Sequence, residues 1–322
     1  HRDSYQVISD ASYMKNWKYV IYIVVSALAT MLPFYAGAYP QHVAVAILMY
    51  ITLAISWDMM FRAGQPALSV AGFFGIGGYV SILTYSNWGI SPFLGIALGG
   101  LIAFVIALAL GFVVLRLRGL YFAITTMAFA EICRVIVQNW ASLTGGPEGI
   151  CISYTIFAGD SAKIYWLALA VAIIVIIASE LFQRTRVHFA LTSIRGNEVM
   201  AKSSGIDIFK YLIVAFAITS SIQAIVGGVY AQIYGFVSPE SSFHLNFTLL
   251  PVTMALFGGI YSTGGPLVGA LILGVIGEYM KLQMPYGHLL IYGAVIVIVI
   301  LLMPKGIVGA VSERLKRRQE VS

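Results

Sequence analysis

Pro92-Phe93-Leu94-Gly95-Ile96-Ala97-Leu98-Gly99-Gly100-Leu101-Ile102-Ala103-Phe104-Val105-Ile106-Ala107-Leu108-Ala109-Leu110-Gly111-Phe112-Val113-Val114-Leu115 carries no charged side chain, and Arg116 and Arg118 close the run. A helix needs about 20 apolar residues to cross the hydrocarbon core of a bilayer, so this stretch is long enough to span one. Working outward, nine further runs of the same kind lie at roughly 18–37, 43–61, 66–86, 120–140, 164–182, 211–235, 246–261, 264–283 and 287–303. Composition agrees: of 322 residues, 60% are hydrophobic and only 10% charged, against roughly 25% charged in soluble domains. Too few polar groups exist to coat a water-facing surface. The expected fold is an all-α polytopic membrane protein of about ten spans, which excludes soluble enzymes, nucleic-acid binders and disulfide scaffolds. Cys133 and Cys151 fall in different settings, so a disulfide is not expected, and neither has a His or Cys neighbour at metal-ligand spacing.

Charge gives orientation. With ten spans, Arg2, Lys15, Lys18, Arg62, Arg116, Arg118, Arg184, Arg186, Arg195, Lys202, Lys210, Lys305, Arg314, Lys316, Arg317 and Arg318 all fall on one side, 16 of the 19 Lys and Arg. Positive loops stay inside, so both termini are expected in the cytoplasm. The net charge of +6 is then a topology signal, and the basic tail is a stop-transfer flank with no nucleic-acid partner implied. The expected organisation is a cytoplasmic segment 1–17, a membrane domain 18–303 and a basic tail 304–322. The first run resembles a signal peptide at Ala36-Gly37-Ala38, but its apolar core exceeds the usual 7–15 residues, and it reads as an anchor.

Within the membrane domain, an external loop 141–163 and an internal loop 183–210 exceed plain connections. The span from Pro66 holds Gly72, Gly75, Gly77 and Gly78, four glycines in seven positions that weaken a helix. It is expected to be interrupted or re-entrant, which is tolerated at membrane depth only beside protein or a water-filled cavity, and so marks a transport path. The competing reading is close helix packing through small residues. Carboxylates are expensive in hydrocarbon, and each here has a basic partner three or four residues on: Asp58 with Arg62, Glu131 with Arg134, Glu180 with Arg184, Glu278 with Lys281. That spacing puts both members on one helix face. Self-neutralised acids make poor proton relays, which weighs against a proton-coupled carrier. Asp58 and Glu278 lie near span ends, within reach of the interface; Glu131 and Arg134 lie deeper and are candidate pathway residues. No phosphate-binding G-x-x-x-x-G-K-[ST] loop occurs, nor any H-E-x-x-H or G-x-S-x-G motif. No catalytic residue, metal site or cofactor is implied, and any ATP must be hydrolysed by another subunit.

In the internal loop, Asn197 to Ser204 is expected to form a short helix stopped by Gly205. Val199, Met200 and Ala201 would give it a small apolar surface suited to docking in a groove on a partner.

Ser193-Ile194-Arg195-Gly196-Asn197-Glu198-Val199-Met200-Ala201-Lys202-Ser203-Ser204-Gly205-Ile206 resembles the cytoplasmic loop of branched-chain amino-acid ABC-transporter permeases of the LivM type, with Met200 in place of an alanine. Gly64-Gln65-Pro66-Ala67-Leu68-Ser69 with Gly72 to Tyr79, Leu115-Arg116-Leu117-Arg118-Gly119-Leu120-Tyr121-Phe122-Ala123, Thr144-Gly145-Gly146-Pro147-Glu148-Gly149, and Phe257-Gly258-Gly259-Ile260-Tyr261 through Gly269-Ala270 are similar to further segments of that family. The likeness runs from about residue 44 to 309. Phe61-Arg62 stands where the family has Gly-Tyr, and Tyr261 stands where it has glycine.

The resemblance implies an importer in the cell (inner) membrane with a second, LivH-like permease, two ABC ATPase subunits and an extracytoplasmic substrate-binding protein. It implies ATPase coupling through Arg195, Asn197, Glu198, Val199, Met200, Ala201 and Gly205. The implied pathway comprises Gly72, Gly75, Gly77, Gly78, Gly145, Gly146, Glu131, Arg134, Gly258 and Gly259. The expected cargo is a branched-chain amino acid. Urea or a short amide, carried by the same family, and a secondary carrier are the alternatives.

Overall fold

The computed structural model describes residues 37–152 and 156–283, together with Thr30, 293–294, Val297 and 306–309. The expected spans 18–37 and 287–303 and both terminal segments lie outside the described residues, apart from those positions. The principal helices described are α1 (Ala38–Phe61), α2 (Val70–Trp88), α3 (Pro92–Val114), α4 (Leu120–Asn139), α5 (Ser161–Gln183), α6 (Arg186–Gly196), α7 (Glu198–Ser203), α8 (Ile208–Tyr234), α9 (Asn246–Gly258) and α10 (Gly264–Gln283). Among the described residues, five helices are long and apolar enough to cross a membrane: α1, α3, α4, α5 and α8.

The centre of the molecule is built on α8 and α1. α8 lies against α2, α3 and α1, and α1 lies against α5, α9 and α10. These two spans are mostly buried, whereas α3, α4 and α5 turn much of their apolar surface outward. Leu101, Val105 and Phe112 of α3 and Ile174, Ile177 and Leu181 of α5 are exposed. Such outward apolar faces suit helices bathed in lipid.

The glycine-rich span is not interrupted. α2 runs unbroken through Gly72, Gly75, Gly77 and Gly78, and the glycines act in packing. A β-carbon at Gly77 would overlap the Ala224 carbonyl, and one at Gly227 would overlap that of Phe74. α2 and α8 therefore touch backbone to backbone, the close approach that small residues permit between membrane helices. The helix penalty of glycine is offset by this packing.

The break in regular structure falls elsewhere. α9 is only 13 residues long, about 20 Å at 1.5 Å per residue, which is short of the ~30 Å hydrocarbon core. It does not fill the span expected at 246–261; with α10 it makes a hairpin of unequal arms joined by residues 259–263. Gly258 and Gly269 hold the arms together, since a β-carbon at Gly258 would strike the Gly265 carbonyl and one at Gly269 the Met254 carbonyl. Loop 141–163 is pinned to the end of α8 by a short antiparallel pairing, Ile150 with Val237 and Cys151 with Phe236.

Candidate functional site

α6 and α7 form an elbow at one end of the bundle. Thr185 caps α6 by accepting from the His188 N–H. Asn197 has extended backbone and caps α7, its Oδ1 accepting from Met200 N at 3.1 Å. Gly205 stops α7 at φ +81°, with its N–H on the Lys202 carbonyl at 3.0 Å and that of Ile206 on the Ala201 carbonyl at 3.1 Å. The short helix is where the sequence puts it.

Its faces are less simple. Val199 and Met200 are 74% and 66% exposed, but Ala201 is only 5% exposed and packs into the core. Three successive helical positions cannot share one face, because successive residues turn about 100° apart. Ala201 therefore anchors the helix and does not belong to its outer surface; Phe189 of α6, also exposed, is an outward apolar group that the sequence reading missed. Glu198 is tied to Arg118 in the α3–α4 turn, through Nη2 at 2.9 Å and Nε at 3.1 Å. Arg195 is exposed, but its Cγ lies against Gly64 and its guanidinium lies 3.7 Å from the centre of the Tyr261 ring.

Beneath the elbow lies a buried charge centre. Asp58 and Arg62 do not reach for the interface as their place near a span end suggests; both side chains are wholly buried, joined Nε to Oδ2 at 3.0 Å. Arg62 Nη2 donates to Ser179 Oγ at 3.0 Å. Ser179 and Thr263 hydroxyls share a 2.8 Å bond, and Gln183 donates to Thr263 at 2.7 Å. The other Asp58 oxygen accepts from Tyr261 N at 2.6 Å. Buried charges need such partners. Ser179 and Gln183, spaced i and i+4 on α5, form a polar face that is visible in the sequence, but the pairing to Asp58 is not. His188 sits nearby; burial, and then the cations of Arg62 and Arg195, hold its imidazole below the ordinary histidine range.

On another side of the molecule, Glu131 and Arg134 of α4 are paired as their spacing implies, by contacts of Nε and Nη2 with the carboxylate. The pair is exposed on the outer face of α4, beside a cavity of about 590 Å³ whose lining includes Met127, Glu240, Phe243 and His244. Gly72 lies behind this face, against Ala130 and Phe129, and Gly75 against the Phe243 ring. Gly145 and Gly146 adopt left-handed backbone at φ +72° and +61°, so their requirement is conformational; they shape the loop that follows α4. Gly258 and Gly259 sit at the hairpin turn next to Tyr261. Among the described residues, no group of three or more His, Cys, Asp or Glu is placed to hold a metal ion.

The described residues form a helical membrane bundle with an exposed two-helix elbow at one end and a charged pair on the outer face of α4. The sequence profile described as "Branched-chain amino acid transport system / permease component" matches residues 39–300, and the chain belongs to that family: it is a permease subunit of an ABC importer. It is 26% identical to the high-affinity branched-chain amino acid transport system permease protein LivM of Escherichia coli (strain K12), over 95% of this chain and 78% of that protein. It is also 26% identical to LivH, the corresponding permease protein of Salmonella typhimurium, over 81% of this chain and 91% of that one. In fold it is similar to "PsaBC from Streptococcus pneumoniae in complex with Fab", with a TM-score of 0.50 and 14% identity, covering 84% of this chain and 94% of that one.

Proposed function

We propose that the chain imports branched-chain amino acids across the cell (inner) membrane as one half of a permease pair, the other half being LivH-like. Two ABC ATPases drive the pair from the cytoplasm, one of them docking on the α6–α7 elbow of this chain, and an extracytoplasmic binding protein delivers the substrate. Ten spans put both termini on the cytoplasmic side. The observation that carries this reading is the exposed Glu131–Arg134 pair. A charged side chain at the centre of a span costs about 2.5–3.5 kcal/mol on insertion scales, so α4 is poorly suited to lipid and well suited to a second subunit across a polar seam. α3 carries no charged side chain, and the charged residues of α5, Lys163 and Glu180, lie near its ends.

The cavity beside that pair has the chemistry of an amino acid. Arg134 offers a carboxylate partner, Glu131 and Glu240 offer partners for an ammonium, and Met127 and Phe243 supply apolar wall. Urea and short amides carry no ionised groups to match these side chains, which favours the zwitterion. Proteoliposomes holding the chain with its second permease, ATPases and binding protein should take up leucine when ATP is supplied, with isoleucine and valine competing. Uptake of urea or acetamide in place of leucine would refute the substrate class.

A further inference from the structure

Tyr261 is the only tyrosine among the described residues with positive φ, at 69°, a conformation in which a side chain is strained and glycine is at ease. Three contacts hold it there. Its N–H is on Asp58 Oδ1 at 2.6 Å. One face of its ring carries the Arg195 guanidinium at 3.7 Å. The ring also lies parallel to Phe61, 5.6 Å between centroids and 3° between planes. Phe61 stacks in turn on Trp57 at 4.7 Å, and Trp57 Nε1 donates to the Ala67 carbonyl at 2.8 Å. A continuous pile therefore runs from the elbow, through the hairpin turn, to the end of α1 and the segment that enters α2. A cation on an aromatic face is attractive within about 6 Å, and stacked rings resist being parted.

We propose that Tyr261 is the positioning residue through which the α6–α7 elbow moves the membrane helices. The inference rests on the reading that ATPases drive the chain at that elbow. When the elbow shifts, Arg195 carries the Tyr261 ring with it, and Tyr261 carries both the α9–α10 turn and, through Asp58 and Phe61, the end of α1. A glycine here would leave the backbone relaxed and the elbow without its grip.

The test uses the complete importer in proteoliposomes, with leucine uptake and ATP hydrolysis measured in the same vesicles. Tyr261→Gly relieves the backbone strain, so the complex should assemble and withstand heating at least as well as the parent. Leucine taken up per ATP hydrolysed should nonetheless fall about tenfold, within the usual span of coupling between sites. Arg195→Ala should reproduce that loss, the double variant should add little to it, and Tyr261→Phe should behave as the parent. A Tyr261→Gly importer with the parental ratio overturns the proposal, as does a ratio that falls only in step with assembly or is not kept by Tyr261→Phe. If the parent complex shows no ATP-dependent uptake at all, the transport reading fails and takes this inference with it; a competent parent with an unaffected Tyr261→Gly variant refutes the pile alone.

Discussion

Replacing Asp58 by asparagine should destabilise the protein more than any single change at its surface. The substitution keeps the shape and an oxygen for the Tyr261 N–H, but it removes the negative charge that faces Arg62. The Arg62 guanidinium has no exposed surface, and its Nη1 has no hydrogen-bond partner. Its remaining contacts are the Ser179 hydroxyl at 3.0 Å and the face of Phe182 at 6.0 Å. Neither neutralises a cation. Removing one member of a buried pair costs about 3–5 kcal/mol, because the other is left as an uncompensated charge. At roughly 2–4 °C per kcal/mol, the midpoint of thermal unfolding in detergent should drop by about 6–20 °C. Asp58→Asn combined with Arg62→Gln removes both charges and should recover a large part of that loss, and this recovery is what separates a charge effect from a packing effect. The assay is loss of the monodisperse peak on size exclusion after graded heating. A single variant as heat-resistant as the parent, or a double variant that is worse than both singles, would refute the argument that the pair is held by mutual neutralisation.

Further outcomes follow from other parts of the structure. Met200→Glu, on an exposed side chain, should leave folding intact and abolish substrate-stimulated ATP hydrolysis in the reconstituted importer; normal stimulation would place ATPase docking elsewhere. Gly77→Leu should reduce the yield of folded protein, since overpacking typically costs about 1–3 kcal/mol and here even the first carbon meets the Ala224 carbonyl; unchanged yield would mean α2 and α8 do not touch as described. Glu131→Gln or Arg134→Gln alone should lower the yield of the assembled complex more than both together, while the double variant folds but takes up little leucine; normal uptake by the double variant would remove Arg134 as the partner of the substrate carboxylate. His188 is held below the ordinary histidine range of about 6.5, so the unfolded chain takes up a proton there more readily than the folded one. Its contribution to stability is complete above that pH and is lost as pH falls below it; the thermal midpoint should therefore drop between pH 7.5 and 5.5, and His188→Gln should flatten that drop.

The five described helices long and apolar enough to cross a membrane were legible because hydropathy is a local property, and so were Asp58–Arg62 and Glu131–Arg134, whose partners sit within about one helical turn. Asn197 and Gly205 bounded α7 correctly for the same reason: capping is decided by neighbours in sequence. What could not be read was anything resting on distant partners. The glycines of α2 suggested a broken helix, because nothing in residues 66–86 says that Ala224 and Gly227 will lie against them. Similarly, Asp58 near a span end suggested the interface, whereas Ser179 and Thr263 draw its partner Arg62 into the interior. Tyr261 stood out as a departure from a glycine position, but its role depends on Arg195, Phe61 and Asp58 meeting at one turn.

The two kinds of contact found here divide the mechanical work. Where α2 meets α8 through Gly77 and Gly227, each backbone lies in the other's surface, and a shift of one helix along the other would drive carbonyls into the opposing chain. Such an interface is bistable or fixed, not continuously deformable. α4 is attached differently: it leaves Leu120, Ile124, Ile132 and Val135 uncovered and meets the core mainly along the face of Phe122 and Thr126, where Thr126 Oγ1 accepts from Leu68 N at 2.9 Å. On the function proposed above, a push at the elbow enters the closely packed block of α1, α2 and α8, and the seam along α4 is where relative movement is cheapest. That is also the face with the Glu131–Arg134 pair and the adjoining cavity, so on the same proposal a turn of the block changes the width of the cavity proposed to hold the substrate.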